Sequence, residues 1–461
     1  CDGKTYWSSA DIGGLMPTIL GANSVRDTGY NVDNSIRLDG TDDHFSRTLT
    51  QSGNSKAFTF SCWIKRSKRN ADVPRLIHMG GSSASPSYYI SVRFRDDQSG
   101  RLSFYTEAGG DGFQLNTDAL FRDTTGWMHV VVAVNSAATE EIDRQKMYVN
   151  GVQITNFSST TAMSYNADLG YNDSGNVIYL FRKQQDSDHF PGYAAEVAYI
   201  DGQQLTPTSF GEFDSDSPTH WKPIDFKNDV TFGNNGFYLE FSDSSALGDD
   251  TSGNGNDFNY NFGATNQSTD TCTNNHCTLN ALNFGSGTLS EGDLKWTASA
   301  QGGNLAFGTL AIDMSGSNKF YWETKIDSIG NGIVIGLSPL DLQWNNTSRA
   351  GFYGYYSDGN KYIGTSASSY GASFTNNDII GILAGNGTLT FYKNGSSQGD
   401  AFTGLSGYYL PSFAEVGMTA SFNFGSPQYS VSSGNSDPAG YGNFEYSTNS
   451  GYTLNTKNLA E

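Results

Sequence analysis

The segment Met147–Ile154, with the sequence MYVNGVQI, decides the fold class of this chain. Apolar residues alternate on both sides of Asn150-Gly151, and this dipeptide favours a two-residue antiparallel hairpin because both turn positions need a positive φ. The same dipeptide occurs at 386–387 and 394–395, at the two ends of an aromatic stretch. The sequence therefore predicts antiparallel hairpins in both halves of the chain.

Other segments alternate apolar and polar residues with the period of half-buried strands, namely Phe58–Lys65, Ile90–Arg95, Tyr193–Tyr199 and Phe320–Asp327. In the first of them, Thr59, Ser61 and Lys65 fall opposite the apolar residues. The composition agrees, because 54 Gly with many Asn and Asp supply turns, while 26 Tyr and 29 Phe suit pleated surfaces. We therefore expect an all-β protein of two antiparallel β-sandwiches.

The charge balance excludes two classes of partner. With 27 Lys and Arg against 47 Asp and Glu, the 461 residues carry a formal net charge of −20. Nucleic-acid binding needs a basic surface, and anionic lipid headgroups repel such a chain. No apolar run approaches the roughly 18 residues that a membrane span needs. We expect neither nucleic acid nor a membrane as a partner.

Residues 33–225 resemble a laminin-G-like, or concanavalin-A-like, jelly-roll module. The resemblance lies in five ordered segments: Asn34–Gly40, Phe58–Lys65, Gly126–Val132, Lys146–Gly151 and Gly192–Gly202. It implies that this part of the chain forms one sandwich, preceded by an N-terminal arm at residues 1–32.

Residues 280–425 resemble a SPRY module, which is another concanavalin-like sandwich. The matching segments are Lys319–Glu323, Ile333–Leu337, Asp378–Ile382, Gly387–Gly395 and Phe422–Gly425. Between the modules, residues 226–279 are rich in Gly, Asn and Asp, and we expect an ordered connector that carries a strand or two. Residues 426–461 form a tail that we expect to pack on a neighbouring part or on another chain.

The complete arrangement resembles virion structural proteins of tailed bacteriophages, notably marine ones. Leu20–Val25, Thr273–Asn280 and Leu454–Glu461 carry this resemblance. It implies a non-enzymatic fibre, tail or capsid decoration protein on the virion surface. The partners would be other virion proteins, further copies of the chain, with trimers favoured for fibres, and a host glycan or protein.

Two other functions stay open. Concanavalin-like sandwiches also carry glycosidases, and retaining hydrolysis needs two carboxyl groups about 5–5.5 Å apart. The nearest pattern is Glu212–Asp216, EFDSD, although an exposed acidic turn before Ser217-Pro218 explains it as well. The second alternative is a cellular surface adhesin, because the chain begins at Cys1, as a mature lipid-anchored protein would.

Calcium is the one cofactor for which the sequence offers ligands. Asp249, Asp250 and Asp257 supply hard oxygen atoms in a loop of turn residues, and laminin-G-like modules sometimes bind calcium. Turns need the same residues without an ion. Cys272 and Cys277, with His276 between them, indicate a small disulfide loop, a metal site or unpaired thiols.

Aromatic residues in the second module are the candidates for glycan binding. They are Trp344, Tyr353, Tyr355 and Tyr356. Amphipathic rings suit both sugar stacking and protein interfaces. Ordinary packing is the competing interpretation for each of these residues.

Overall fold

The computed structural model describes residues 29–68, 72–81, 87–299, 305–342, 351–414 and 417–460. The predicted N-terminal arm up to residue 28, with Cys1 and Leu20–Val25, lies outside these ranges, as does Trp344. The described residues form two antiparallel β-sandwiches, which confirms the predicted fold class. Among the described helices none has the length and hydrophobicity of a membrane span.

The first sandwich and the connector contribute the following strands: β1 (Ser35–Asp39), β2 (Phe45–Thr48), β3 (Ala57–Arg66), β4 (Arg75–Gly80), β5 (Tyr88–Arg95), β6 (Arg101–Ala108), β7 (Asp111–Leu120), β8 (Trp127–Asn135), β9 (Gln145–Val149), β10 (Val152–Gln153), β11 (Phe157–Thr161), β12 (Val177–Leu180), β13 (Pro191–Asp201), β14 (Gly211–Phe213), β15 (Trp221–Pro223), β16 (Phe237–Leu239), β17 (Asn259–Tyr260) and β18 (Gln267–Ser268).

These strands form two large sheets. One has the order β10-β9-β8-β3-β13-β1-β18, with β16 also paired to β13, and the other has the order β11-β7-β6-β5-β4-β12-β2-β17. Strands β14 and β15 make a separate hairpin. The predicted connector is ordered, and its strands β16, β17 and β18 extend the sheets of the first sandwich.

The second sandwich contributes the remaining elements: β19 (Leu279–Phe284), β20 (Gly287–Ser290), β21 (Lys295–Ala298), β22 (Leu305–Gly308), β23 (Ile312–Asp313), β24 (Lys319–Ser328), β25 (Val334–Pro339), β26 (Tyr353–Tyr356), β27 (Asn360–Ile363), β28 (Ser366–Ser369), β29 (Ile379–Gly385), β30 (Thr388–Lys393), β31 (Ser396–Thr403), β32 (Tyr408–Ala414), β33 (Thr419–Asn423), β34 (Tyr452–Thr453) and the helix α1 (Thr456–Leu459). Its sheets have the orders β19-β22-β32-β25-β26-β27-β28 and β20-β21-β33-β24-β29-β30-β31.

The two sheets of the first sandwich differ in what lies on their outer faces. The sheet that contains β3 and β13 is covered outside by an aromatic cluster in which Phe210, Phe226, Phe232 and Tyr238 pack on residues such as Val131 and Ile200. We call it the covered sheet. The opposite sheet carries polar, partly exposed side chains on its outer face, and we call it the open sheet.

Polar contacts join the two sandwiches. Lys65 of β3 donates to Asp270, Asn275 and the carbonyl of His276, at 2.7–2.9 Å. Tyr193 Oη donates to the carbonyl of Gly292 at 2.8 Å. Lys65 was predicted on a solvent-facing side of its strand, but it is 1% exposed, because the connector and the second sandwich cover that side.

The C-terminal tail packs on its own chain. Strand β34 runs parallel to β24, and the buried Glu323 accepts hydrogen bonds from the amides of Glu445 and Tyr446 at 3.0 and 2.8 Å. Lys457 then reaches Asn31 in front of the first sandwich, at 2.6 Å. The tail therefore packs on the neighbouring module, which is one of the two places expected for it.

Candidate functional site

The predicted aromatic site of the second sandwich does not form one surface. Tyr353 and Tyr355 lie on one side of β26 and Tyr356 on the other, because successive strand residues face opposite ways. Tyr355 is fully buried, and its hydroxyl donates to the carbonyl of Ala372. It is a core residue that cannot stack on a ligand.

The other two tyrosines are partly buried and face different neighbours. The ring of Tyr353 packs edge-on against Phe402, with the ring centroids 5.2 Å apart. Tyr356 packs against Tyr362, and its hydroxyl donates to the carbonyl of Asn331 at 2.9 Å. A glycan-stacking role at these rings stays a prediction, and the rings do not act together.

The predicted calcium ligands act as turn caps. Asp250 Oδ1 accepts the amides of Tyr238 and Ser252, and its Oδ2 accepts the amide of Asn256, at 2.8–2.9 Å. Asp257 caps the amide of Asp250 at 2.9 Å, and Asp249 is exposed. Within the described ranges these three carboxylates do not converge on one point, whereas Asp39, Asp42 and Asp43 do.

The two connector cysteines are free thiols that pack in different places. Cys277 lies in the core of the second sandwich, where burial raises the pKa of its thiol to about 11. Cys272 packs instead beside Trp63 and Trp221 of the first sandwich. The predicted disulfide is therefore not formed, because the backbone between the cysteines crosses from one core to the other.

The acidic segment Glu212–Asp216 is a structural turn. Asp214 Oδ1 accepts the amides of Asp216 and Ser217 at 2.8 and 3.0 Å. The carboxylates of Glu212 and Asp214 each lie 3.4 Å from Lys222 Nζ on the neighbouring strand β15. These contacts explain the pattern as an ion-paired hairpin rather than as an acid–nucleophile pair.

The outer face of the open sheet presents a row of three rings. His78, Tyr89 and Tyr105 come from β4, β5 and β6, with ring centroids 5.1 and 5.6 Å apart. The register places His78, Ser91 and Tyr105 in one line across the sheet, and Tyr89, two residues before Ser91 on β5, packs against both of the other rings. Gly112 leaves space beside the Tyr105 hydroxyl, which a Cβ there would approach to 2.7 Å.

Two arginines lie beside this row. Arg75 donates to Ser91 Oγ and to Asp188 Oδ2, both at 3.2 Å. Arg93 donates to Ser103 Oγ at 3.4 Å, and its guanidinium carbon lies 5.1 Å from the ring centre of Tyr105. Burial lowers the pKa of Arg93 to about 10, and the neighbouring charges of Arg75 and Arg95 act in the same direction.

We call these five residues, Arg75, His78, Tyr89, Arg93 and Tyr105, the aromatic–arginine face. The sequence indicated part of it, because Ser91, Arg93 and Arg95 alternate with Ile90, Val92 and Phe94 and so had to share a polar face. It gave no sign of the cross-strand neighbours, since the register between β4, β5 and β6 depends on the loops that join them.

Comparisons with known proteins agree with this architecture. Residues 39–209 match the family model Laminin_G_3, described as the concanavalin A-like lectin/glucanases superfamily, and residues 319–427 match the SPRY domain. These matches lie in the two modules that the sequence segments indicated. No curated protein sequence matches the chain.

Several solved structures are similar to parts of it. Domains LG4-5 of the mouse laminin alpha1 chain are 12% identical, with 86% of this chain and 85% of that chain covered and a TM-score of 0.30. The native heptameric SAP-like pentraxin from Limulus polyphemus is 16% identical over 38% of this chain and 78% of its own, with a TM-score of 0.29.

The SPRY domain of human HERC1 is 19% identical over 31% of this chain and 96% of its own, with a TM-score of 0.27. The family matches, taken with the two sandwiches, define the architecture. The chain carries a concanavalin A-like module of the laminin G type and a SPRY module in tandem.

Proposed function

We propose that the protein is a non-enzymatic adhesion protein that binds a glycan through the aromatic–arginine face. The observation that carries this proposal is the difference between the outer faces of the first sandwich. One is apolar and covered by the chain itself, and the other is polar and carries the partly exposed rings of Tyr89 and Tyr105 beside the buried His78. Rings with polar tips supply both apolar contact and hydrogen bonds to a sugar.

Binding without turnover is the second half of the proposal. Laminin G and SPRY modules are typical of binding proteins, and the sharpest catalytic candidate, Glu212 with Asp214, is held in an ion-paired turn. A glycosidase would need one of its two carboxyl groups as an acid and the other as a nucleophile or base.

Retention on immobilised polysaccharides tests both halves. We expect the protein to be retained by at least one polysaccharide of the panel and to release no new reducing ends. Tyr105→Ala should weaken retention about tenfold, since truncation of a central aromatic contact often removes that much affinity. Tyr408→Ala is the matched control, because Tyr408 is an exposed tyrosine of the second sandwich. New reducing ends that disappear in Glu212→Gln would make the protein a hydrolase.

The proposal also includes the particle on which the protein is found. We place it on a phage virion, as a fibre, tail or capsid decoration protein in several copies. This placement rests on the sequence resemblance of Leu20–Val25, Thr273–Asn280 and Leu454–Glu461. Antibody labelling of particles, together with the native mass, tests it. Regular labelling of virions is the expected result, whereas labelling of cell surfaces would make the protein a cellular adhesin.

A further inference from the structure

We propose that the glycan bound by the aromatic–arginine face is acidic, and that Arg93 binds its carboxylate or sulfate group. This inference rests on the proposed glycan binding and adds the chemical class of the ligand. Its basis is a partly buried guanidinium that has no acidic partner in the described part of the chain.

Arg93 differs in this respect from its neighbours. Arg75 pairs with Asp188 at 3.2 Å, Arg95 with Asp97 at 2.8 Å, and Arg101 with Asp118 at 3.3 Å. The guanidinium of Arg93 has instead the hydroxyl of Ser103 and the ring of Tyr105. Acidic residues are not scarce, since the chain has 47 of them, so the missing counter-ion is a property of this position.

An unpaired charge that is partly removed from water is unfavourable until an opposite charge reaches it. A planar guanidinium can donate two parallel hydrogen bonds to a carboxylate or sulfate, which makes such a group the matching ligand. Burial and the nearby Arg75 lower the pKa of His78 to about 3, so that ring stays neutral. Of the cationic side chains near these rings, which include Lys183 beside His78, Arg93 is the one that lies over the ring of Tyr105.

The neighbouring rings favour a saccharide over an acidic peptide. Tyr105 lies directly beneath the guanidinium, and Tyr89 stands next to it. A sugar ring that carries an acidic substituent can contact the ring of Tyr105 and the guanidinium of Arg93 at the same time, because the guanidinium carbon lies 5.1 Å from the ring centre. An acidic peptide would use the cation alone and becomes one outcome of the test.

The test measures the affinity of the full chain for a polyuronate, a sulfated galactan and a neutral glucan of similar length. Ionic strength is held at 0.15 M, where charges more than about 8 Å apart are largely screened, so that the net charge of −20 repels an acidic ligand only weakly. We expect at least one acidic polymer to bind about tenfold or more tightly than the neutral one.

Arg93→Gln should weaken binding of the acidic polymer about tenfold and should weaken binding of the neutral one much less, since charge-assisted hydrogen bonds are the strong ones. Arg101→Gln is the matched control, because this arginine lies on the same sheet and already has a carboxylate partner. Arg93→Lys keeps the positive charge but loses the planar guanidinium, so it should lower affinity for the acidic polymer by less than Arg93→Gln does. It also serves as the second variant if Arg93→Gln does not fold.

Three results would overturn the inference. Equal affinity for acidic and neutral glycans, unaffected by Arg93→Gln, would remove the acidic ligand and leave the proposed glycan binding in place. Binding of an acidic peptide but of no polysaccharide would replace the ligand class. Failure to retain any glycan would remove the proposed function and the inference together.

Discussion

Asp293 shows how a single residue can make this protein sensitive to pH. It lies in the turn between β20 and β21, which contacts the first sandwich through the bond from Tyr193 to Gly292. The residue is 1% exposed, and within the described ranges neither carboxylate oxygen has a hydrogen-bond partner. Burial raises its pKa to about 8, although the charges of Lys65 and Lys68 oppose the shift.

The folded protein should therefore lose stability as the pH rises. An unfolded Asp titrates near pH 4, so between about pH 4 and pH 8 the folded chain holds a proton that the unfolded chain has lost. The contribution of Asp293 is complete below pH 4 and is lost as the pH passes through about 8. We expect Asp293→Asn to raise the free energy of unfolding by at least about 1 kcal/mol at pH 9 and by little at pH 4.

Thermal unfolding of both proteins across this range checks the prediction. Histidines such as His129 and His276, whose pKa values burial lowers, affect both proteins alike and cancel in the difference. A difference that does not change with pH would show that Asp293 is not protonated in the folded state.

At the scale of secondary structure, the Asn-Gly turns set the hairpins. Asn150-Gly151, Asn386-Gly387 and Asn394-Gly395 all have positive φ at both residues, which is the backbone of a type I′ turn. They join β9 to β10, β29 to β30 and β30 to β31, so the hairpins predicted from the dipeptides are confirmed.

Alanine substitutions at two of these glycines distinguish the cost of backbone strain from the cost of steric crowding by a side chain. Gly387→Ala should cost about 1 kcal/mol of stability, because φ is +69° and the added Cβ meets nothing closer than the carbonyl oxygen of Leu405 at 3.5 Å. Gly151→Ala should cost about 1–3 kcal/mol more, because its Cβ would lie 2.3 Å from the ring of Trp221. Urea unfolding of both variants measures the difference, and equal costs would contradict it.

For strand β3 the sequence predicted the strand itself but not the burial of its polar side. Its alternation correctly predicted a strand with Phe58, Phe60 and Ile64 in the core. The opposite side was expected to face solvent, yet every residue of β3 is buried. The alternation of apolar and polar residues shows which side of the strand is polar. It does not show that residues 140 or more positions away, such as Gln203 and Asp270, cover that side.

Packing by residues distant in sequence also explains why the candidate sites were predicted only in part. Tyr355 lies in the aromatic stretch Phe352–Tyr356 and is buried, whereas Tyr105, with Phe104 as its one aromatic neighbour within three residues, is partly exposed, so aromatic clustering in the sequence does not report exposure. The turn-rich segments were correctly identified as turns, in which the carboxylate of Asp250 accepts backbone amides, and calcium binding at this loop stays a prediction.

At the scale of the whole molecule, a buried ion pair ties the connector to the first sandwich. Asp270 accepts a salt bridge from Lys65 at 2.8 Å and a hydrogen bond from Trp127 Nε1 at 2.9 Å. Both charged side chains are at most 2% exposed. Such a pair fixes geometry, because loss of one partner leaves the other charge buried and uncompensated.

Asp270→Asn should therefore cost about 3–5 kcal/mol, because Lys65 stays buried without its counter-charge, and calorimetry should show a lower unfolding temperature. The exposed pair of Lys146 with Asp143 supplies the control, since Asp143→Asn should change stability by less than about 1 kcal/mol. An unchanged unfolding temperature in Asp270→Asn would mean that the buried pair does not stabilise the attachment of the connector to the first sandwich.

The central claim is that the intact chain binds an acidic glycan on the open sheet of its first sandwich. Hydrogen–deuterium exchange of the full chain, with and without a polyuronate or sulfated galactan, tests it most directly. We predict slower exchange in peptides that span β5 and β6, Tyr88–Arg95 and Arg101–Ala108, and no change in the second sandwich. Protection confined to β26 and its neighbours, or protection nowhere, would contradict the account.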